Sequence, residues 1–178
     1  MDMITSLLSR VQSSRELDKT LYAMQTAIAA ARTANIPVIY IALEFRKEFP
    51  EVNFRNKAFA ALRNVLPEGP AQFHPSIAPK PGDIIVPKKR FSGFAGNDLD
   101  LILRSQGVDQ LVLTGYSTSG VVLSTLREAA DRDYLLAVLS DACLDNDVEV
   151  HNVLLNKVFP RSADVLTTSA WISTVTKG

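Results

Sequence analysis

Lys88 lies in a turn where this sequence can do chemistry. The turn follows a short apolar run, Asp83–Val86, and also contains Phe91 and Phe94. A lysine ammonium in such a turn can hold a substrate carboxylate or stabilise negative charge that develops during a reaction. The same residues also fit a solvated basic turn without a catalytic role, and the sequence leaves both interpretations open.

A second candidate site is the turn Thr114–Gly120, which lies between an apolar run and a predicted helix. Main-chain N–H groups at the start of a helix bind anions and can form an oxyanion hole. The turn is not a phosphate-binding P-loop, because Gly120 is not followed by lysine. It also departs from the nucleophile elbow, since Ser119 stands where that motif requires glycine.

The remaining reactive side chains are scattered. Ser117, Asp141 and His151 follow the chain order of a serine hydrolase triad, but His151 falls inside a predicted helix rather than on a loop. His74 and His151 are isolated from each other and from carboxylates, so we expect no metal site and no cofactor. Cys143 is the only cysteine and fits a buried small residue better than a nucleophile.

The elements that position these residues alternate along the chain. This pattern predicts an α/β fold with a doubly wound, mostly parallel sheet flanked by helices. The predicted strands are Val38–Leu43, Asp83–Val86, Leu111–Leu113, Leu135–Leu139 and Val165–Leu166, and the predicted helices are Arg15–Ala34, Lys57–Val65, Asp98–Gln106, a segment from Ser119 or Gly120 to Ala130, and one capped by Asp147.

The series begins with a helix, and only Met1–Ile4 can belong to a strand before it. We therefore expect the first strand to be largely missing, either because the fold starts unusually or because the chain is a shortened form of a longer one. Ligands of open α/β sheets bind beyond the carboxyl ends of the strands. This rule brings Asp2, the two turns and Asp141 to the same edge.

Composition bounds the class of protein. The 178 residues are 47% hydrophobic and 21% charged, which predicts one domain over residues 1–178. Basic and acidic residues number 19 each, so no bulk charge favours nucleic acid or an anionic membrane. No apolar stretch is long enough for a membrane span, and the N-terminus lacks the pattern of a signal peptide. These features and the single cysteine favour the cytoplasm.

The proline-rich stretch Phe45–Pro81 fits a functional loop or an inert one equally well.

Several stretches together resemble the isochorismatase-like hydrolases, an α/β superfamily with a Rossmann-type three-layer fold that also contains nicotinamidases and N-carbamoyl amidohydrolases. The stretches are Lys88–Leu99, Leu111–Thr125, Ser140–Cys143, Glu149–His151 and Val158–Arg161. Family members carry an aspartate at the end of their first strand, a lysine after the third and a cysteine at the start of a later helix. Asp2 and Lys88 match the first two positions, whereas Val121 stands where the cysteine nucleophile is usual.

The resemblance implies a particular chemistry. Valine cannot form the acyl-enzyme that amide hydrolysis requires, whereas hydrolysis of a vinyl ether requires only protonation. Asp2 would be the general acid, and Lys88 would orient it or hold a substrate carboxylate. The residues expected to line the pocket are Tyr116, Ser117, Ser119 and Gly120, with Phe91 and Phe94 as apolar walls.

The resemblance also bears on partners and assembly. It implies a small-molecule substrate, a homodimer or higher homo-oligomer, and a cis peptide bond near Tyr116–Ser117. The alternative is a catalytically inactive family member that binds a small molecule or serves as a dimerising scaffold.

Overall fold

The computed structural model describes residues 1–176 and has the predicted alternation of helices and parallel strands. The helices are α1 (Thr5–Leu8), α2 (Ser14–Thr33), α3 (Lys57–Leu62), α4 (Leu99–Ser105), α5 (Leu123–Ala130), α6 (Val148–Val153) and α7 (Thr168–Val175). The strands are β1 (Ile39–Leu43), β2 (Ile84–Lys88), β3 (Gln110–Tyr116), β4 (Leu135–Leu144) and β5 (Asp164–Leu166). None of the described helices is both long and apolar enough to cross a membrane.

The sheet consists of two parallel parts. One contains β1 and β2, and the other contains β3, β4 and β5 in that order. Main-chain hydrogen bonds of Met1 and Asp2 link the two parts, since Asp2 bonds to β1 and Met1 bonds to β3. The expectation that the first strand is largely missing is therefore confirmed.

Helix α2 shows how local sequence sets the element boundaries. The Ser13 hydroxyl caps its start by accepting a hydrogen bond from the Glu16 N–H. Its buried face includes Leu21, Met24 and Ala31, which recur at helical spacing. Beyond the last turn, Asn35 adopts a left-handed conformation (φ +55°), so the chain leaves the helix before β1.

Two strands extend further than the sequence patterns predict. β2 continues through Pro87 to Lys88, which is compatible with proline because β2 is an edge strand in the described sheet. β4 continues through Asp141 to Leu144, past an irregularity in its pairing with β3. As a consequence, Lys88 ends a strand and is buried, so it does not belong to a solvated basic turn.

Two apolar clusters hold the layers together. One packs around α2, α7 and the long connection after β1, and the other lies among α4, α5 and the strands. The connection from Glu44 to Asp83 contains α3 and supplies Phe45 and Phe59, both almost fully buried. It therefore folds against the carboxyl edge of the sheet as part of the core.

Candidate functional site

Asp2 and Lys88 form a buried ion pair at the carboxyl edge of the sheet. The Lys88 Nζ lies 2.7 Å from the Asp2 Oδ2, and the two side chains are 1% and 5% exposed. Lys88 Nζ also donates a hydrogen bond of 2.8 Å to the Arg90 carbonyl. The two residues that the sequence nominated for proton chemistry are thus in direct contact.

Main-chain bonds fix Asp2 between the two parts of the sheet. Its N–H donates to the Ile41 carbonyl at 2.7 Å, and its Oδ1 accepts from the Leu43 N–H at 2.8 Å. The Met1 ammonium donates to the Thr114 carbonyl, and the Met1 carbonyl accepts from the Tyr116 N–H. Asp2 itself has a left-handed backbone (φ +54°), a conformation that aspartate tolerates better than most residues.

Burial controls the electrostatics of this pair. Desolvation lowers the pKa of the Lys88 ammonium, and the neighbouring Asp2 carboxylate opposes this shift. Desolvation likewise lowers the pKa of the Met1 ammonium. Lys88 therefore gives up its proton more readily than a solvated lysine.

The turn after β3 contains main-chain N–H groups and serine hydroxyls rather than a buried ion pair. The peptide bond between Tyr116 and Ser117 is cis, as the resemblance predicted. The Ser117 Oγ accepts a hydrogen bond from the Gly120 N–H at 3.1 Å. Ser119 is exposed and binds the Asp145 carboxylate through its own N–H and hydroxyl. A wide helical turn, Thr118–Val122, leads directly into α5.

Val121 occupies the position of the family's cysteine nucleophile, and Cys143 is the single cysteine of the chain. Val121 is 2% exposed and packs in the core beneath the turn. Cys143 lies in β4 opposite Gly115, and its burial raises the pKa of the thiol to about 12. The single cysteine therefore stays protonated at neutral pH and is a poor nucleophile.

Phe91 and Phe94, the two residues predicted to form apolar walls, have different surroundings. Phe91 is partly exposed, and its ring centroid is 4.8 Å from that of the buried Phe59. Phe94 is buried and stacks on Tyr134, which precedes β4 at the opposite edge of the sheet. The prediction that Phe94 forms a pocket wall is wrong, because the chain turns at Gly93 and directs this ring into the core.

The structure does not assemble the serine triad. Asp141 accepts hydrogen bonds from the N–H and hydroxyl of Thr168, and so anchors the start of α7. His151 Nδ1 lies 2.8 Å from the hydroxyl of Thr118, not from that of Ser117. Burial lowers the pKa of His151, which favours the neutral ring.

Sequence analysis missed two groups near the site. Thr118 is fully buried and ties the turn to α6 through His151, and Phe59 packs against Phe91 from α3. Arg90 reinforces this contact, because its guanidinium lies 5.4 Å from the Phe59 ring and bonds to the Glu51 carbonyl. In the sequence, the helical pattern of Lys57–Val65 includes Phe59, but it does not show that Phe59 packs against Phe91.

An open cavity of about 520 Å³ adjoins the ends of β1 and β2. It is bordered by Arg46, Lys47, Glu68 and Lys89, together with neighbouring main chain. The Glu68 carboxylate accepts a hydrogen bond from the Glu48 N–H, and Arg46 pairs with Glu51. Within residues 1–176, no group of three or more histidine, cysteine, aspartate or glutamate side chains is arranged to hold a metal ion.

A mostly parallel sheet with a buried acid–lysine pair beside a helix-opening turn is the arrangement that the resemblance to the isochorismatase-like superfamily implies. The isochorismatase domain family matches residues 1–170, and this chain belongs to that family.

Comparison with individual proteins agrees with this assignment. The chain is 36% identical over 135 residues to ureidoacrylate amidohydrolase RutB of Enterobacter sp. (strain 638). The match covers 67% of this chain and 59% of the length of that relative.

Two solved structures illustrate the shared fold. A cysteine hydrolase from Pseudomonas syringae pv. phaseolicola superposes with a TM-score of 0.88 at 24% identity, covering 99% of this chain and 90% of the other. An isochorismatase-like hydrolase from Alkaliphilus metalliredigens gives a TM-score of 0.79 at 27% identity, covering 97% and 94%.

Proposed function

We propose that this chain hydrolyses the vinyl-ether bond of a small carboxylate-bearing metabolite by general acid catalysis, without a cysteine nucleophile. The observation that carries the proposal is the Asp2–Lys88 pair, which is buried, in contact at 2.7 Å and located at the ligand-binding edge of the sheet. In the proposed mechanism a proton passes between Lys88 Nζ and Asp2 Oδ2, which are in direct contact.

The lack of an activated cysteine nucleophile favours vinyl-ether hydrolysis over amide hydrolysis. An acyl-enzyme requires an activated nucleophile, and neither the buried Val121 nor the protonated Cys143 supplies one. The relative RutB is by name an amidohydrolase acting on ureidoacrylate. We propose that this chain shares with it a small carboxylate-bearing substrate but not the amide chemistry.

The reaction balances with water as the only co-reactant. Asp2, reprotonated from Lys88, donates a proton to the methylene carbon of the vinyl ether, and the ether oxygen stabilises the resulting cation. Water adds to the cationic carbon, and its proton returns to Asp2. The hemiketal then collapses: the bond from its carbon to the ether oxygen breaks, the proton of the hemiketal hydroxyl is lost, and one proton is added to the leaving oxygen, which gives pyruvate and an alcohol.

Lys88 orients Asp2 rather than binding the substrate carboxylate. Its ammonium already donates to Asp2 and to the Arg90 carbonyl, and its side chain is only 1% exposed. Lys47 and Lys89 border the open cavity at the ends of β1 and β2, where a carboxylate can reach them. We therefore assign substrate charge recognition to these two lysines.

The substrate reaches the acid only if the covering residues move. Phe59 and Phe91 pack together, Arg90 lies over the Phe59 ring and bonds to Glu51, and the Arg90 carbonyl accepts from Lys88. We propose that these contacts restrict access to the buried pair, whose side chains are 1% and 5% exposed. Closure excludes water, which suits a cationic intermediate that must be captured by a single water molecule.

Isotope labelling during turnover tests the proposal. The purified chain is incubated with isochorismate in D₂O, and the pyruvate formed is analysed by mass spectrometry. We expect pyruvate with one deuterium in its methyl group, because protonation of the methylene carbon takes the proton from exchangeable groups. Unlabelled pyruvate and enzyme-free isochorismate in D₂O are the controls. Absence of pyruvate above the enzyme-free blank, or pyruvate with no more deuterium than its control, would contradict the proposal.

Binding without catalysis is the second candidate, and the enclosure of Lys88 and Asp2 favours it. A binding protein keeps its ligand affinity in Asp2→Ala, whereas the enzyme loses turnover in that variant. Calorimetry with a non-reactive dihydroxybenzoate and the pyruvate assay together distinguish the two candidates. Self-association stays a prediction, which sedimentation of the purified chain would test.

A further inference from the structure

The loop between β2 and α4, residues 89–98, supplies the second acceptor of the Lys88 ammonium. The Arg90 carbonyl lies 2.8 Å from the Lys88 Nζ, so the ammonium is held between this carbonyl and the Asp2 carboxylate. Burial lowers the pKa of Lys88, and both acceptors act in the opposite direction because they stabilise the charged form. The position of the Arg90 carbonyl therefore affects how the ammonium is oriented and how readily it gives up a proton.

Gly93 is the residue through which this loop is bonded to the helices. Its N–H donates to the Thr125 Oγ1 at 2.8 Å, and its carbonyl accepts from the Asn97 Nδ2 at 2.7 Å. The Asn97 Oδ1 in turn accepts from the Leu99 N–H at the start of α4. Side chains thus bond both main-chain groups of this glycine, one from α5 and the other from the residues that lead into α4.

The loop packs closely against β1 and α5 at Gly93. A methyl group at this position would lie 3.2 Å from the Ile41 Cδ1 and 3.3 Å from the Thr125 Cγ2 and Oγ1. Thr125 is 1% exposed, and Ile41 supplies the carbonyl that accepts from the Asp2 N–H. The Thr125 hydroxyl therefore fixes the loop next to the strand residue that bonds to Asp2.

We propose that Thr125 is a positioning residue for the Asp2–Lys88 pair and acts through the loop. Its hydroxyl fixes Gly93, which fixes the course of the loop back to the Arg90 carbonyl, and this carbonyl holds the Lys88 ammonium against Asp2. The inference deepens the proposed function, on which its catalytic consequence rests. Residues 44–47, 68–69, 87 and 89 border the open cavity, so Thr125 should affect turnover rather than substrate affinity.

Replacement of the Thr125 hydroxyl tests the inference with a measurement that does not require turnover. Thr125→Val keeps the branched shape of the side chain but removes the acceptor, whereas Thr125→Ser keeps the acceptor. The pKa of Lys88 is measured by NMR titration of protein with an isotopic label at the lysine Cε, and its signal is identified by its loss in Lys88→Arg. We expect this pKa to be lower in Thr125→Val by about 0.5–1 pH unit, because the ammonium loses a well-placed acceptor. Thr125→Ser should restore the wild-type value.

Thr168→Val is the matched control. Thr168 is also buried, and its hydroxyl makes a bond of the same length, 2.8 Å, to Asp141 at the start of α7. This variant should leave the pKa of Lys88 unchanged. Amide exchange at Gly93 should become at least about tenfold faster in Thr125→Val and stay unchanged in Thr168→Val.

Asn97→Ser provides a second variant if Thr125→Val does not fold. Its hydroxyl keeps an acceptor for the Leu99 N–H, but the shorter side chain cannot also bond the Gly93 carbonyl. We expect it to lower the pKa of Lys88 in the same direction. Equal Lys88 pKa values in the wild type, Thr125→Val and Asn97→Ser would overturn the inference, as would a fall in pKa of the same size in Thr168→Val.

Turnover provides the second readout. With isochorismate, Thr125→Val should lower kcat about tenfold at unchanged KM, and Thr125→Ser should recover most of the rate. A higher KM at unchanged kcat would contradict a positioning role. A wild-type chain that releases no pyruvate would refute the proposed function, whereas the Lys88 pKa would still decide whether Thr125 positions the pair.

Discussion

The two parts of the sheet bring different chemistry to the same edge. The β1–β2 part contributes charge, because Lys88 ends β2 and its ammonium holds Asp2. The β3–β4–β5 part contributes uncharged hydrogen bonds, through Ser117 and Gly120 in the turn and through the Thr118–His151 contact. The β1–β2 part therefore carries the buried ion pair, whereas the turn of the other part offers main-chain N–H groups and hydroxyls. Met1 and Asp2 are the residues that join them.

Removing the charge on the β1–β2 side is the largest perturbation. In Lys88→Met, the Asp2 carboxylate stays buried without its cation, so we expect the free energy of unfolding to fall by about 3–5 kcal/mol. Urea unfolding measures this change, and the exposed lysine variant Lys80→Ala should change stability by less than about 0.5 kcal/mol. The double variant Asp2→Asn/Lys88→Met should recover part of the loss. Equal stability of the Lys88 and Lys80 variants would show that the two parts do not differ in this way.

Breaking the join between the parts should have an intermediate effect. A methyl group at Gly115 would lie 2.5 Å from the Met1 carbonyl oxygen, a separation that forces the main chain of Met1 to move. We expect Gly115→Ala to cost about 1–3 kcal/mol of unfolding free energy. Faster amide exchange at Asp2, with unchanged exchange at Val138 in β4, would locate the damage at the join. Unchanged exchange at Asp2 would contradict this account of the join.

Removing a hydroxyl from the uncharged side should have a smaller effect. Ser117→Ala loses the cap that accepts from Gly120, at a cost of about 1 kcal/mol in thermal or urea unfolding. Asp147→Ala removes a cap of the same kind from α6, where Asp147 accepts from the Val150 N–H. The two variants should lose similar stability, but only Ser117→Ala should slow pyruvate release. Equal rates of pyruvate release in the two variants would show that the turn containing Ser117 is not part of the active site.

Low pH should change the free energy of unfolding through His151, and this is the smallest of the expected effects. Burial lowers the pKa of His151 below its ordinary value of 6.5, so the unfolded state binds a proton more readily than the folded state. The His151 contribution is therefore lost as the pH falls below 6.5 and through the folded pKa. Urea unfolding across this range should show a flatter pH dependence for His151→Gln than for the wild type. His74→Gln is the control, and identical slopes in all three proteins would contradict the prediction.

Periodic patterns and capping residues predicted much of the fold. The apolar spacing in α2, the proline after it and the Asp147 cap each act within one element, so they can be recognised without tertiary information. The rule for strand ends also brought Asp2 and Lys88 to one edge. Their contact at 2.7 Å confirms that they meet, although their roles stay proposals.

The missed features depend on contacts between distant segments. Phe91 and Phe94 are close in sequence and similar in type, yet one meets Phe59 and the other Tyr134 on opposite edges of the sheet. The Thr118–His151 bond joins the turn before α5 to helix α6, and neither residue lies in a local pattern that predicts its partner. Such pairings are set by the packing of the layers, which periodicity does not encode.

The rate of pyruvate release from isochorismate by Asp2→Asn tests the central claim most directly. Asparagine keeps the size of the side chain and an acceptor for the Leu43 N–H, but it removes the carboxyl group that we propose as the general acid. The account predicts that Asp2→Asn, confirmed to be folded by its unfolding transition, is at least about 100-fold slower than the wild type. Lys80→Ala should retain the wild-type rate. A folded Asp2→Asn chain that releases pyruvate at the wild-type rate would contradict the assignment of catalysis to this pair.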